Sequence, residues 1–318
     1  MHQPIRPGRL SVEKELLPAL EKLAEITDLE ERFDAIRNTD FRTVTPEETY
    51  WGMAKALIYM PPEVTMSRPY NIDRFPFYRA RVNLNEDTEN VSLCRTFSYP
   101  NPVHCTSNGR ANLVRRPVFY ASDHPGTAVA EISPEDGDIV YLGEWMICCH
   151  RATMDLSILP PMPEKTNQWT TIARNLHKGR TDFYRTKFGD HLADKVSRIF
   201  EFLAHLFTDE PPPYTRSSAY ANHFLYEIFG LDYILYPSVK TSAHSCNLAF
   251  HPNFIDEFGR LDKVYKMKIH RAHKQYAALE VLSVAEYMLN NLMWRAPSEE
   301  DMAFLPLQFP QDETPPNA

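Results

Sequence analysis

Glycine is scarce in this sequence, ten residues against 26 prolines in a chain of 318. That scarcity excludes phosphate cradles built on repeated glycines, and neither G-x-x-x-x-G-K-[ST] nor G-x-G-x-x-G occurs. H-E-x-x-H and G-x-S-x-G are missing too, which removes the simplest metalloprotease and serine-hydrolase readings. Cysteine is sparse. Cys94, Cys105, Cys148, Cys149 and Cys246 are odd in number and form no C-x-x-C pair, so neither a disulfide framework nor a structural zinc site is expected. Cys148, Cys149 and His150 are consecutive, but neighbours on a strand point to opposite faces and do not converge on one ion. No metal is expected. No apolar run approaches the roughly 18 residues of a membrane span, and the opening MHQPIRPGRLSVEKE lacks the apolar stretch of a secretory signal. A broad cationic excess is lacking as well: 34 Lys+Arg face 42 Asp+Glu, a net charge of -8, which argues against general nucleic-acid affinity. These absences leave a cytoplasmic protein with free thiols and an ordinary core.

The residues present suggest three regions. Residues 1–69 read as an N-terminal helical region. Leu16, Leu20 and Leu23 recur at helical spacing behind Ser11, with Pro18 tolerated near the start. A second helix opens at Thr45-Pro46-Glu47-Glu48, with Thr45 as N-cap, Pro46 at the first helical position and Glu48 closing a capping box. Residues 70–275 change to short strand-like pieces: FPFYRARVNL, RPVFYAS, DIVYLGEWMICC, DYILYPSV and the stretch from Val264 to Arg271. A helical insertion at about 160–213 interrupts them, its apolar stripe formed by Leu192, Val196, Ile199, Leu203 and Leu206. Residues 276–318 read as a C-terminal helix, capped by Ser283 with Glu286 three positions on, followed by a polar tail. Strands in groups with helices segregated around them predict an α+β fold.

Three segments carry chemistry. Phe77-Tyr78-Arg79-Ala80-Arg81 sets two arginines on one face of an aromatic strand, where an unpaired guanidinium is expensive unless it meets an anion. Gly109-Arg110-Ala111-Asn112 is a turn; Pro117 to Ser122 form a strand and Asp123 to Glu131 a turn with a short helix. Tyr233 to Val239 run as a strand into Pro237-Ser238, and Cys246-Asn247-Leu248-Ala249-Phe250 returns beside it.

The order YR, then GRAN…PVFYAS…TAVAEI, then YPSV…NLAF resembles the RES-domain family, named for an Arg, a Glu and a Ser. Its members include bacterial toxins of toxin–antitoxin pairs that consume NAD. The resemblance covers about 76 to 250 and implies an ADP-ribosyltransferase-like split β-sheet core, with NAD as substrate and no metal. Residue by residue, it implies Glu131, Arg79 and Ser238 as catalytic groups. Arg79, Arg110, Tyr120 and Ser238 are implied as the groups that bind NAD, and Arg81, on the same strand as Arg79, is the alternative to Arg110 as phosphate ligand. The partner it implies is an antitoxin, often a small helix-turn-helix protein, covering the NAD cleft. This chain adds an N-terminal prefix, a stretched spacer from 82 to 108 and the helical insertion. Their amphipathic helices could cover the site or form a homo-oligomer surface.

The chemistry suits these residue types. Cleaving the nicotinamide–ribose bond passes through an oxocarbenium-like sugar, which a carboxylate such as Glu131 stabilises. Arginine forks bind the two phosphates, Tyr120 offers a flat face and a hydroxyl, and Ser238 orients the ribose or carboxamide. Water, phosphate or a protein side chain would accept the ADP-ribosyl group. Two other readings stand beside this one. One is a non-catalytic nucleotide-binding or interaction module. The other is a nuclease using Lys263, Lys266, Lys268, His270, Arg271 and Lys274, a strip that also fits a solvated strand face.

Overall fold

The computed structural model describes residues 20–57, 65–67, 75–151, 153–159, 167–227, 230–241, 244–272, 277–288 and 291–303. Its helices are α1 (Leu29–Asn38), α2 (Pro46–Ala56), α3 (Pro125–Glu131), α4 (Gln168–Phe188), α5 (Asp190–Asp209), α6 (Thr215–Asn222), α7 (Pro252–Phe258) and α8 (Glu299–Ala303). The strands are β1 (Thr65–Ser67), β2 (Pro76–Val82), β3 (Phe119–Ser122), β4 (Ile139–Ile147), β5 (Thr153–Ser157), β6 (Tyr233–Pro237), β7 (Cys246–Phe250), β8 (Gly259–Ala272), β9 (Ala277–Met288) and β10 (Asn291–Arg295). They lie in the order β1-β5-β6-β7-β3-β2-β4-β8-β9-β10, which with the surrounding helices makes the fold α+β. Two halves of this sheet meet at a narrow seam. β2 pairs with β4 along its whole length, but with β3 at one position, Tyr78 opposite Ser122.

Among these neighbours only β5 and β6 run parallel. Parallel neighbours need a long crossover, and α4, α5 and α6 supply it. The insertion is therefore part of the sheet's topology. Gly189 separates α4 from α5 at φ 86°, a left-handed conformation that glycine adopts without Cβ strain.

Alternation sorts the side chains onto two faces. Phe77, Phe119, Trp145, Leu235, Leu248 and Phe250 share one face with Trp169 of α4 and Phe254 of α7. On the other face Tyr78, Leu142 and Met267 pack with Ala128 and Val129 of α3. Farther along that face, Leu156, Ile234, Tyr236 and Ala249 pack with the helices of the prefix and insertion.

The prefix is built into this core. Residues 20–25 are helical, and Leu20 and Leu23 are buried; Leu16 and Pro18 lie outside the described residues. Lys195 Nζ of α5 donates to the carbonyls of Leu23 at 3.0 Å and Ala24 at 2.8 Å. Arg216 of α6 donates to those of Ile36, Arg37 and Thr39 at the end of α1. Both cations satisfy carbonyls that a helix end leaves open. The apolar stripe of α5 is covered by the prefix and the sheet, so it is spent inside the chain. The expected capping box is present: Thr45 Oγ1 accepts from Glu48 N at 3.2 Å, and Glu48 Oε2 accepts from Thr45 N at 2.8 Å. Thr45→Ala should cost about 1 kcal/mol, measured as a lower denaturant midpoint with an unchanged m value.

The predicted C-terminal helix is a correction. Its residues form β9 and β10, so the sheet continues past residue 275 instead of ending there. Val281, Val284 and Ala285 mimic helical spacing. The β8–β9 ladder shifts register between Lys266 and Met267, passing from Ser283 to Val281 and skipping Leu282. This bulge inserts one residue and shifts the alternation, so Val281 and Val284 share one buried face while Leu282 is exposed. The 1–69 region likewise contains a strand, β1, paired to β5. The tail from Pro310 lies outside the described residues.

Candidate active site

Three elements converge beside the seam. α3 follows β3 directly and opens at Pro125, where His124 Nδ1 accepts from Gly126 N at 3.1 Å. Its last residue is Glu131. Across from it, β6 ends at Pro237 and delivers Ser238, while β7 returns with Asn247 opposite both Tyr236 and Ser122. Glu131 Oε1 accepts from Ser238 Oγ at 2.7 Å and from Asn247 Nδ2 at 2.7 Å. Ser122 Oγ donates to Asn247 Oδ1 at 2.7 Å, which turns the amide NH2 toward Glu131. Ser238, Asn247 and Ser122 are buried and Glu131 half-buried. Glu131 Oε2 has no hydrogen-bond partner among the described residues. One carboxylate oxygen is thus anchored by two donors and the other by none among the described residues.

Tyr120 lies on the same face but has a different attachment. Its hydroxyl accepts from Ala111 N at 2.7 Å and donates to Asn112 Oδ1 at 3.0 Å, which ties the strand to the GRAN turn. Burial raises its pKa, so it stays protonated at neutral pH. The expected free hydroxyl is therefore engaged, and the half-buried ring is what Tyr120 can present. The turn needs Gly109: a Cβ there would sit 2.4 Å from Asn112 Oδ1 and 2.8 Å from the Tyr120 hydroxyl. Gly109→Ala should destabilise the fold by about 1–3 kcal/mol, visible as a lowered denaturation midpoint.

The arginines divide between the two faces. Arg110 shares the Glu131 face. Its Nη1 donates to the carbonyls of Phe207 at 2.6 Å and Glu210 at 3.3 Å, and its guanidinium lies 4.8 Å from the Tyr214 ring centroid. Phe207 also packs on Tyr236, two residues before Ser238, with ring centroids 5.3 Å apart. Nε and Nη2 of Arg110 have no partner among the described residues. Arg79 and Arg81 alternate with Tyr78, so they point to the Phe77 face, away from Glu131. Arg79 reaches across the seam to donate from Nη1 to Tyr120 O at 2.9 Å, over the Phe119 ring at 5.4 Å. Its Nε is buried without a partner. Burial, with the nearby Arg81 charge adding to it, lowers its pKa to about 10, so it remains a cation at neutral pH. Arg81 donates to Thr96 O at 2.5 Å and to Glu89 Oε1 at 2.7 Å, within the 82–108 spacer. The structure therefore brings together Glu131, Ser238, Tyr120 and Arg110 on one face and sets Arg79 and Arg81 on the other.

Asn247 and Ser122 are the site residues that motif reading passed over. Their signal was a polar residue in an otherwise apolar strand, placed by alternation on the face of Ala249 and Tyr120. The basic strip on β8 is largely paired: Lys263 with Asp301 at 3.5 Å, Lys266 with Glu86 at 2.5 Å and His270 with Glu280 at 2.8 Å. That pairing supports the solvated-face reading. Lys274 lies outside the described residues. Cys148 is exposed and Cys149 buried, and all five cysteines are free thiols. Among the described residues, no group of three His, Cys, Asp or Glu side chains is placed to hold a metal ion, and no helix is long and apolar enough to cross a membrane.

A split, mostly antiparallel sheet with an anchored carboxylate beside its seam defines an α+β protein with a compact acid–amide–hydroxyl site. A family model of the RES domain matches residues 76–264, and the chain belongs to that family. The match begins at β2 and ends within β8, so it takes in Arg79, Arg110, Tyr120, Glu131, Ser238 and the whole insertion. No curated protein matches the chain.

Proposed function

We propose that the chain cleaves the nicotinamide–ribose bond of NAD on the Glu131 face of the sheet. The observation that carries this reading is the split duty of the Glu131 carboxylate, with Oε1 held by Ser238 and Asn247 and Oε2 without a partner among the described residues. Oε2 accepts a ribose hydroxyl, and the carboxylate charge stabilises the oxocarbenium-like sugar as nicotinamide departs. Ser238 acts by holding Glu131. Arg110, already fixed through Nη1, offers its remaining donors to the diphosphate, and the Tyr120 ring lines the same face. Arg79 clamps β3 to β2 at the seam.

Incubation of purified protein with NAD tests the reading. Nicotinamide release is expected, and the co-product identifies the acceptor: ADP-ribose for water, its phosphate ester for phosphate, a modified chain for a protein. Thermal stabilisation by NAD with no nicotinamide released would favour the non-catalytic module instead. A toxin role in the cytoplasm, held in check by a helix-turn-helix antitoxin over Glu131, follows from the same proposal. Its check is growth arrest on expression of the wild-type chain and none on expression of Glu131→Gln.

A further inference from the structure

Asp123 is a carboxylate that the proposed chemistry does not use. It is 3 % exposed, and no cationic side chain is paired with it among the described residues. A buried carboxylate is costly unless hydrogen bonds hold it. Those bonds come from separate parts of the chain. Oδ1 accepts from Ser245 Oγ in the connection between β6 and β7. Oδ2 accepts from Asn167 Nδ2, the residue that caps α4, at 2.9 Å. Ser245 in turn accepts from Thr127 Oγ1 at 2.8 Å, and its carbonyl accepts from Ser238 N at 2.9 Å.

The direction of this relay follows from Asp123. A carboxylate only accepts, so the single hydroxyl proton of Ser245 points to it, and the Ser245 oxygen is left to receive Thr127. Thr127 lies one turn before Glu131 on α3. Ser245 therefore grips the helix that carries Glu131 and the backbone of Ser238 at the same time. We infer that Asp123 is a positioning residue, which acts through Ser245 to set Glu131 and Ser238 in mutual register. Among the described residues it makes no hydrogen bond to either group, and alternation after Ser122 sets it on the side of Cys246. Burial raises the pKa of Asp123, against the Ser245 and Asn167 bonds that lower it. The Cys246 thiol is the titratable group facing it from β7, and its own pKa is raised by burial and by Asp123.

This inference rests on the NAD-cleavage reading and is tested by a double-mutant cycle. Asp123→Ala and Ser245→Ala are each expected to lower kcat for nicotinamide release about tenfold, with KM within about twofold, because misplaced groups slow the chemical step. The double variant should be no slower than either single one, since both break one relay. Asp123→Asn keeps one acceptor and should recover part of the loss. If either single variant retains wild-type kcat, or if the two losses multiply, the inference is overturned. Wild-type protein that releases no nicotinamide overturns the activity reading instead. The relay is then judged by amide exchange: Ser238 N–H should exchange faster in folded Ser245→Ala, and unchanged protection would sink the inference without reference to catalysis.

Discussion

Glu131→Gln should lower nicotinamide release by about 10²–10³-fold, the effect of removing a group placed against developing charge. The substitution isolates charge from shape. The glutamine oxygen can still accept from Ser238 and Asn247, each 2.7 Å from Oε1 in the native chain. What changes is Oε2, which becomes an amide NH2 with no negative charge. The loss should therefore fall on kcat with little change in KM, the pattern expected when an interaction is made in the transition state. The melting temperature should stay near that of the wild type, because Oε2 has no partner to lose among the described residues. Nicotinamide release measured by chromatography checks the result, and an unchanged rate would remove Glu131 from the mechanism.

Phe202→Ala should destabilise the whole protein by about 3–5 kcal/mol, a large share of the ~5–15 kcal/mol that holds an ordinary domain together. Phe202 of α5 stacks on Phe33 of α1, with ring centroids 4.3 Å apart and planes 4° from parallel. Each ring is 2 % exposed, so truncation opens a cavity that the rigid flanking helices cannot close. The lost contact joins the prefix to the insertion, and both belong to the same buried cluster as Ile234 and Tyr236 of the sheet. One cooperative transition at lower denaturant is expected. A separate early transition would mean that the prefix folds as an independent appendage. Phe33→Ala should give a similar loss, and the pair should be less than additive because the two rings fill one space.

Local signals were legible wherever the physics is local. The Thr45–Glu48 capping box was readable because a helix start is settled within a few residues. The short helix ending at Glu131 was readable from the Pro125 and Gly126 punctuation and the alanine-rich run that follows. The β9 segment failed for the opposite reason. Its apolar spacing fits a helix, and the bulge that reconciles that spacing with a strand exists only against β8. Arg79 and Arg81 failed in a related way. Their shared face was evident from alternation, but whether it is the Glu131 face depends on how β2 joins β3 across one register pair.

The sequence by itself determined the α+β class, the scarcity of glycine that turned attention from phosphate loops to side chains, and the RES-domain pattern with Glu131 and Ser238 at its centre. It could do so because composition, capping and ordered motifs are properties of the chain. Tertiary structure alone decided that Glu131 is held through Oε1 by Ser238 and Asn247, and that Arg110 rather than Arg79 or Arg81 shares its face. It also decided that the insertion is the crossover between two parallel strands. Each of these depends on segments far apart in sequence meeting in one register, and no local spacing encodes that register. With few glycines available for a backbone cradle, the chemistry of this chain lies in side chains such as Glu131, Ser238 and Arg110, and their common face is set by the sheet.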